Sequence, residues 1–206
     1  MGIVIGIDVG ISTTKIVGII EGSKVLSPIR IKATDPVTSL YGAFGKFLYV
    51  NKIQLQDIEK VMLTGVGSAY INEPIYNLPT EKADEFLADG LGARYETGLS
   101  RMIVVSMGTG TSIVKCDGND INHIGGIGIG GGTLQGLSRL LLNTDDIKQV
   151  AKLAETGDVS HINVLIKDIS ANPLPGLPMD AIASLCGNTK SNASPEDIAI
   201  GLIWMV

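Results

Sequence analysis

No apolar run among the 206 residues reaches the roughly 18 to 20 needed to cross a bilayer, because Gly, Asp or Lys interrupts every candidate. The positive mean hydropathy therefore describes a core and not a membrane span. Met1-Gly2-Ile3-Val4 enters a strand-like stretch with no basic segment ahead of it, so a secretory leader is not expected. Cysteine occurs twice, at Cys116 and Cys186, which form no close metal-type pair and read as reduced thiols of a cytoplasmic protein. A basic stripe is missing as well. With 16 Lys plus Arg against 21 Asp plus Glu, the net charge of -5 argues against a nucleic-acid partner.

What remains is globular: 45% hydrophobic residues, 18% charged residues spread along the chain, and length enough for one core or two small lobes. The 26 glycines show neither a period nor low complexity, and they cluster in a few loops beside apolar runs. Strands are expected at 3–9, 15–20, 24–31, 59–63, 102–106, 111–116 and 121–124, with hairpin turns at Glu21-Gly22-Ser23 and Asp117-Gly118-Asn119. Asp35-Pro36 opens a helix with Val37, Leu40, Phe44, Phe47 and Leu48 on its apolar face. A second helix is expected over 80–98, with its stripe on Ala83, Phe86, Leu87, Gly90 and Leu91. A third follows Gly130-Gly131-Gly132, and a fourth starts near Asp145 with Thr144 as its cap. Pro173 to Pro178 reads as an ordered loop or linker, and Ser194-Pro195 starts a last helix that ends on Trp204-Met205-Val206 without a cap residue. That bare apolar end raises the expectation of a chain shorter than its relatives.

Three glycine-bearing segments carry the chemistry. In Asp8-Val9-Gly10-Ile11-Ser12-Thr13-Thr14-Lys15, an acid at the end of a buried strand can hold Mg²⁺, while the turn offers amides and hydroxyls to phosphate and Lys15 adds charge. The strand, glycine turn, strand pattern returns around Gly108-Thr109-Gly110-Thr111-Ser112, and two such loops can clamp a polyphosphate. In Gly125-Gly126-Ile127-Gly128-Ile129-Gly130-Gly131-Gly132-Thr133, the last glycines lead into a helix start whose free amides favour an anion. A dinucleotide-binding reading fails, since these glycines lie mid-chain after a hairpin and not at the first strand-to-helix turn.

The run Gly-Gly-Ile-Gly-x-Gly-Gly-Gly-Thr-x-x-Gly-Leu from Gly125 to Leu137 resembles the signature of type II pantothenate kinases, in the actin-like ATPase and kinase superfamily. Asp8-x-Gly10 and Gly108-Thr109-Gly110-Thr111-Ser112 match that family's two phosphate loops, and Asp84-Glu85-Phe86 resembles its catalytic segment. The resemblance implies an α/β, two-lobed, ribonuclease H-like fold, with lobes at 1–98 and 99–206 and the second incomplete. It implies ATP between the lobes, held by Asp8, Gly10, Ser12, Thr13, Thr14, Lys15, Gly108, Thr109, Gly110, Thr111, Gly130, Gly131, Gly132 and Thr133, with Mg²⁺ at Asp8. It implies Glu85 as the base that takes the proton from the pantothenate hydroxyl, with Thr109, His123, Gly125 and Gly126 near substrate. Glu85 also falls opposite the expected apolar stripe, as a solvated side chain would, and Glu81 and Asp84 compete with it. His123 falls where several members carry an arginine whose bidentate fork an imidazole cannot form. His161 shows no constellation, and Arg139 is either a charge clamp or a solvent-facing residue.

The function implied is ATP-dependent phosphorylation of pantothenate to 4'-phosphopantothenate, the first step of coenzyme A synthesis, by a homodimer. Two alternatives stand beside it. One is a non-catalytic relative that binds phosphate or a partner. The other is an ATPase activator of an acyl-CoA dehydratase, whose opening segment resembles Ile7 to Lys15 but which holds an iron–sulfur cluster on cysteines.

Overall fold

The computed structural model describes residues 2–20, 24–33 and 35–206, so the expected turn at Glu21-Gly22-Ser23 lies outside the described residues. The chain divides into two compact units, residues 1–106 with 112–125 and residues 107–111 with 126–206. The sequence reading divides it at residue 98; here the strands that follow remain with the first unit.

In the first unit β1 (Ile3–Val9) pairs antiparallel with β2 (Thr13–Ile20), running from Ile3↔Ile20 to Val9↔Thr14. The stretch expected as one strand over 24–31 is two, β3 (Lys24–Val25) and β4 (Ile29–Lys32), both antiparallel to β2. Pro28 stands between them and has no N–H to give the ladder. On the other side of β1 lie β5 (Ile58–Thr64) and β6 (Thr80–Lys82), both parallel, in the order β3-β2-β1-β5-β6 with β4 beside β2.

One face of this sheet is covered by α1 (Pro36–Asn51). Asp35 accepts from the Thr38 N–H, Pro36 occupies the first turn, and Lys52 ends the helix in the left-handed region. Leu40, Ala43, Phe44 and Phe47 pack on the alternate residues Ile3, Ile5, Ile7 and Val9 of β1 and on Val61 and Leu63 of β5. Each such large side chain removed from water contributes about 1.5–3 kcal/mol.

The helix expected over 80–98 is shorter. Thr80, Glu81 and Lys82 form β6, paired Val61↔Thr80 through Leu63↔Lys82, and α2 (Glu85–Thr97) starts only after Asp84, whose carboxylate accepts from the Leu87 N–H. None of Thr80, Glu81 and Lys82 belongs to the apolar stripe, which starts at Ala83, so the ladder to β5 takes them without opposition from it. Gly98, at φ 70°, closes α2. Strands β7 (Arg101–Met107), β8 (Thr111–Asp117) and β9 (Asp120–Ile127) form a separate sheet in the order β7-β8-β9, with Gly118 at φ 62° in the expected turn.

The second unit holds α3 (Gly131–Leu142), α4 (Ile147–Ala154), β10 (Val164–Leu165), α5 (Ile166–Ile169), β11 (Ile182–Ser184) and α6 (Pro195–Met205). Val150, Ala154 and Ala199 are its buried centre, with Leu142, Leu153, Ile200 and Ile203 packed around them. Asp146, not Thr144, caps α4: its carboxylate accepts from the Lys148 N–H, while the Thr144 hydroxyl accepts from the Asp146 N–H. Ser194 caps α6 as expected, in a reciprocal box with Asp197. Asp197 also accepts from the Asp158 N–H at 2.8 Å and lies 2.9 Å from His161 Nδ1, which gives His161 a structural partner. Among the described residues no helix is long and apolar enough to cross a membrane.

Candidate active site

The carboxyl ends of β1 and β5 lie side by side, and the register places Asp8 between Lys15 of β2 and Thr64 of β5. Lys15 Nζ stands 2.7 Å from Asp8 Oδ2. The hairpin after Asp8 is tight: the Gly10 N–H donates to Thr13 O at 3.1 Å, and a Cβ on Gly10 would stand 2.7 Å from that oxygen. Strand alternation sorts the hydroxyls. Thr13 shares the face of Asp8 and Lys15, whereas Thr14 pairs with Val9 and is fully buried on the α1 side. The Thr14 hydroxyl, expected among the phosphate donors, is therefore turned into the core, where Oγ1 has no partner.

The wall opposite the hairpin is Thr64-Gly65-Val66-Gly67, just past the strand expected over 59–63. Gly65 has φ 83°, and a Cβ on it would stand 2.4 Å from Asp8 Oδ1 and 2.7 Å from Val9 O. A Cβ on Gly67 would stand 2.7 Å from Val9 O. Two glycines two residues apart after a strand are the signal for such a close approach.

A cavity of about 450 Å³ opens beside Asp8 on the sheet face away from α1. Its floor includes Gly6, Val17, Met62 and Ala88, and its polar rim carries Asp8, Lys15, Arg30, Thr64, Glu85 and Asp89. Thr64 Oγ1 is shut from solvent without a hydrogen-bond partner. Partial burial, then the charges of Asp8 and Asp89, raise the Glu85 carboxyl above its ordinary value, with Lys15 opposing. The competing acids have other tasks. Glu81 is paired with Lys60 at 2.7 Å, and Asp84 caps α2. Glu85 alone of the three reaches the cavity.

His123 lies on β9 with its ring stacked on Phe86, centroids 4.1 Å apart and planes 18° from parallel. Beside it on the strand, the place a Cβ would take at Gly125 has no atom within 4 Å.

In the second unit the other two glycine segments lie against each other. The Gly108 N–H donates to Gly110 O, and the Gly131 and Gly132 N–H groups donate to Gly108 O and Thr109 O at 2.8 and 2.9 Å. A Cβ on Gly130 would stand 2.8 Å from Gly110 Cα, and one on Gly132 would stand 2.6 Å from Thr109 Cγ2. Close backbone approach thus accounts for these glycines, and two amides expected to be open to an anion are engaged. Thr111 Oγ1 donates to Ile129 O at 2.8 Å and Thr133 Oγ1 to Gly128 O at 3.0 Å, which ties both loops to one frame. Gly126 belongs to this unit too. Arg139 pairs with Asp145, both exposed.

Asp8 fits a magnesium ion: one carboxylate at a strand end suits a cation that keeps several waters and takes its other ligands from phosphate. Among the described residues no group of three or more His, Cys, Asp or Glu could hold a metal by itself.

The family model described as Fumble matches residues 95–206, more than half of the chain. A type II pantothenate kinase of Staphylococcus epidermidis is 36% identical over 141 residues, covering 65% of this chain and 52% of its own length. One from Staphylococcus aureus is 34% identical over 189 residues, covering 89% of this chain and 66% of its own. The chain thus spans between about half and two thirds of the length of these curated relatives. Among solved structures, the activator of the 2-hydroxyisocaproyl-CoA dehydratase from Clostridium difficile, with bound ADPNP, matches at TM-score 0.67 and 17% identity, over 97% of this chain and 70% of its own. At that identity the likeness establishes the fold. The chain belongs to the Fumble family, with type II pantothenate kinases among its relatives, and carries the mixed α/β actin-like ATPase fold.

Proposed function

We propose that this chain provides the phosphate-binding and acceptor-activating parts of a pantothenate kinase. ATP and pantothenate are the substrates, and ADP and 4'-phosphopantothenate the products. The observation that carries this reading is the placing of Glu85 on one cavity rim with the Asp8–Lys15 pair and Thr64. A carboxylate with a raised pKa beside a charged phosphate loop is the pairing that phosphoryl transfer to an alcohol uses.

In the reaction the bond between the γ-phosphorus and its bridging oxygen breaks, a bond to the acceptor oxygen forms, and the hydroxyl proton passes to Glu85. Lys15 and the hairpin amides after Asp8 hold phosphate oxygens, with Thr13 and Ser12 beside them. The resemblance assigns the Gly108–Thr111 and Gly130–Thr133 segments to the nucleotide as well, although the Gly131 and Gly132 amides are engaged within the second unit. Mg²⁺, when bound, would be held by Asp8 and would neutralise charge on the phosphates. His123, Gly125, Gly126 and Thr109 are assigned to the acceptor. The relatives' names support the kinase reading and the choice of acceptor. The activator alternative draws on a likeness at 17% identity, and Cys116 is buried in β8. The homodimer expected from the resemblance belongs to the same proposal.

The test is ADP release from ATP by this chain with and without pantothenate, with the product identified by mass. Release that depends on pantothenate and yields phosphopantothenate supports the reading. Release indifferent to pantothenate favours an ATPase, and none from a folded chain favours a binding protein.

A further inference from the structure

The contacts between α2 and β9 form a register. Gly90 leaves room for Ile121, since a Cβ on it would stand 2.5 Å from Ile121 Cγ2 and 3.1 Å from Cys116 Sγ. One turn toward the start of the helix, Phe86 meets His123, two residues further along the strand. Four helical residues rise about 6 Å, and two strand residues rise about 6.6 Å. The helix therefore lies antiparallel on β9 with its contacts in step, and both strand residues face it. The next position on that strand face is Gly125, where a side chain would meet nothing within 4 Å. Glu85 is the chain neighbour of Phe86, in the first turn of the same helix.

We propose that Phe86 is a positioning residue: its stack holds the His123 imidazole at the start of α2, so that the ring and the open strand at Gly125 form a shelf for the acceptor alcohol at the end of the helix that carries Glu85. The inference rests on the kinase reading for the acceptor's identity. An exposed imidazole samples several rotamers, and a ring stacked at 4.1 Å restricts it to those that keep the two planes nearly parallel. One N–H or ring nitrogen then meets the acceptor's polar groups, a single contact in place of a two-pronged fork. Gly90 is part of the device, because the close approach it permits sets the helix over the strand.

The experiment has two arms, both on the full chain. In kinetics, Phe86→Ala is expected to raise the acceptor KM about tenfold and leave the ATP KM unchanged, as for loss of orientation at one substrate. Phe86→Tyr, which keeps the stack, restores the wild-type value. His123→Ala shows the same KM effect, and Phe86→Ala adds nothing to it, as for two residues acting through one contact. Additive effects, or an acceptor KM indifferent to Phe86→Ala in a folded variant, overturn the proposal.

The second arm needs no turnover. The chain has two histidines, so the ring protons of His123 can be assigned by difference and followed by NMR as D-pantothenate is added. A shift of the His123 signals that disappears in Phe86→Ala supports the shelf; signals that stay in place overturn it. A shift without turnover defeats the kinase reading and leaves the shelf standing. Turnover without a shift does the reverse.

Discussion

Gly65 and Asp8 are fitted to one another: a Cβ on Gly65 would stand 2.4 Å from Asp8 Oδ1, and the Gly65 backbone has a φ of 83° that side-chain-bearing residues rarely adopt. The acid proposed to hold the metal therefore depends on a missing side chain in a different loop. Gly65→Ala should displace the Asp8 carboxylate and cost about 1–3 kcal/mol in stability. ATP affinity should fall with it, measured by titration calorimetry beside a urea melt. A variant that binds ATP normally would show that Asp8 does not need this wall.

Asp8→Asn separates the charge from the packing, since the side chain keeps its size. Phosphoryl transfer should fall by roughly two orders of magnitude or more, with the melting temperature little changed. Raising the magnesium concentration should recover part of the loss. A rate within a fewfold of wild type would remove Asp8 from the nucleotide site.

Glu85 carries a pKa raised by partial burial and by its acidic neighbours, and the sign of the consequence can be worked out. A raised folded-state pKa means that the folded protein holds the proton more tightly than the unfolded chain. Stability then falls as pH rises from the unfolded value, about 4.3, through the folded one. Glu85→Gln should therefore melt slightly above wild type at pH 7, and the gap should close below about pH 4. The activity should run the other way, rising with pH as the wild-type carboxyl ionises.

Much of this architecture can be read from residues alone, where one local rule decides. Ile3 to Val9 alternates against a single helix and carries an acid at its penultimate residue, and Asp35-Pro36 and Ser194-Pro195 announce their helices with a cap and a proline. The reading fails where a distant partner decides. Thr80 to Lys82 precedes the apolar stripe that starts at Ala83, and it pairs with β5. Thr14 is one of three adjacent hydroxyl residues, and only the Val9 register reveals that it turns inward. The run at Gly130 to Gly132 looks like open anion donors until the carbonyls of Gly108 and Thr109 are found against it. The wall at Gly65 and Gly67 is equally invisible without β1 beside it.

Those carbonyls give a prediction for the second unit. Gly130→Ala would push a methyl to 2.8 Å from Gly110 Cα and from Thr109 O, which are backbone atoms that cannot swing aside. The two loops should separate at a cost of about 1–3 kcal/mol. The backbone amide signals of Gly108 and Gly110 should shift, while those of β1 and α1 stay unchanged.

Asp197 is the corresponding test of unit-two stability. Backbone N–H groups of Asp158 and Ser194, together with His161, hold its carboxyl well below the usual carboxylate range. A depressed folded-state pKa contributes stability above the unfolded value, about 3.9, that is lost as pH falls through the folded one. Asp197→Asn should lower the melting temperature by several degrees at pH 7, and the difference should narrow below about pH 4. A constant difference across that range would mean that the charge is not what holds α6.

Glu85 is proposed to take the proton from an alcohol while the Asp8–Lys15 loop holds the phosphates. The direct measurement is single-turnover formation of phosphopantothenate from ATP by the wild-type chain and by Glu85→Gln, under saturating substrates. Product is expected from the wild type, at a rate about 10²-fold lower in the variant, with ATP binding preserved. Equal rates in the two proteins, or a wild type that binds ATP and pantothenate yet forms no phosphopantothenate, would contradict it.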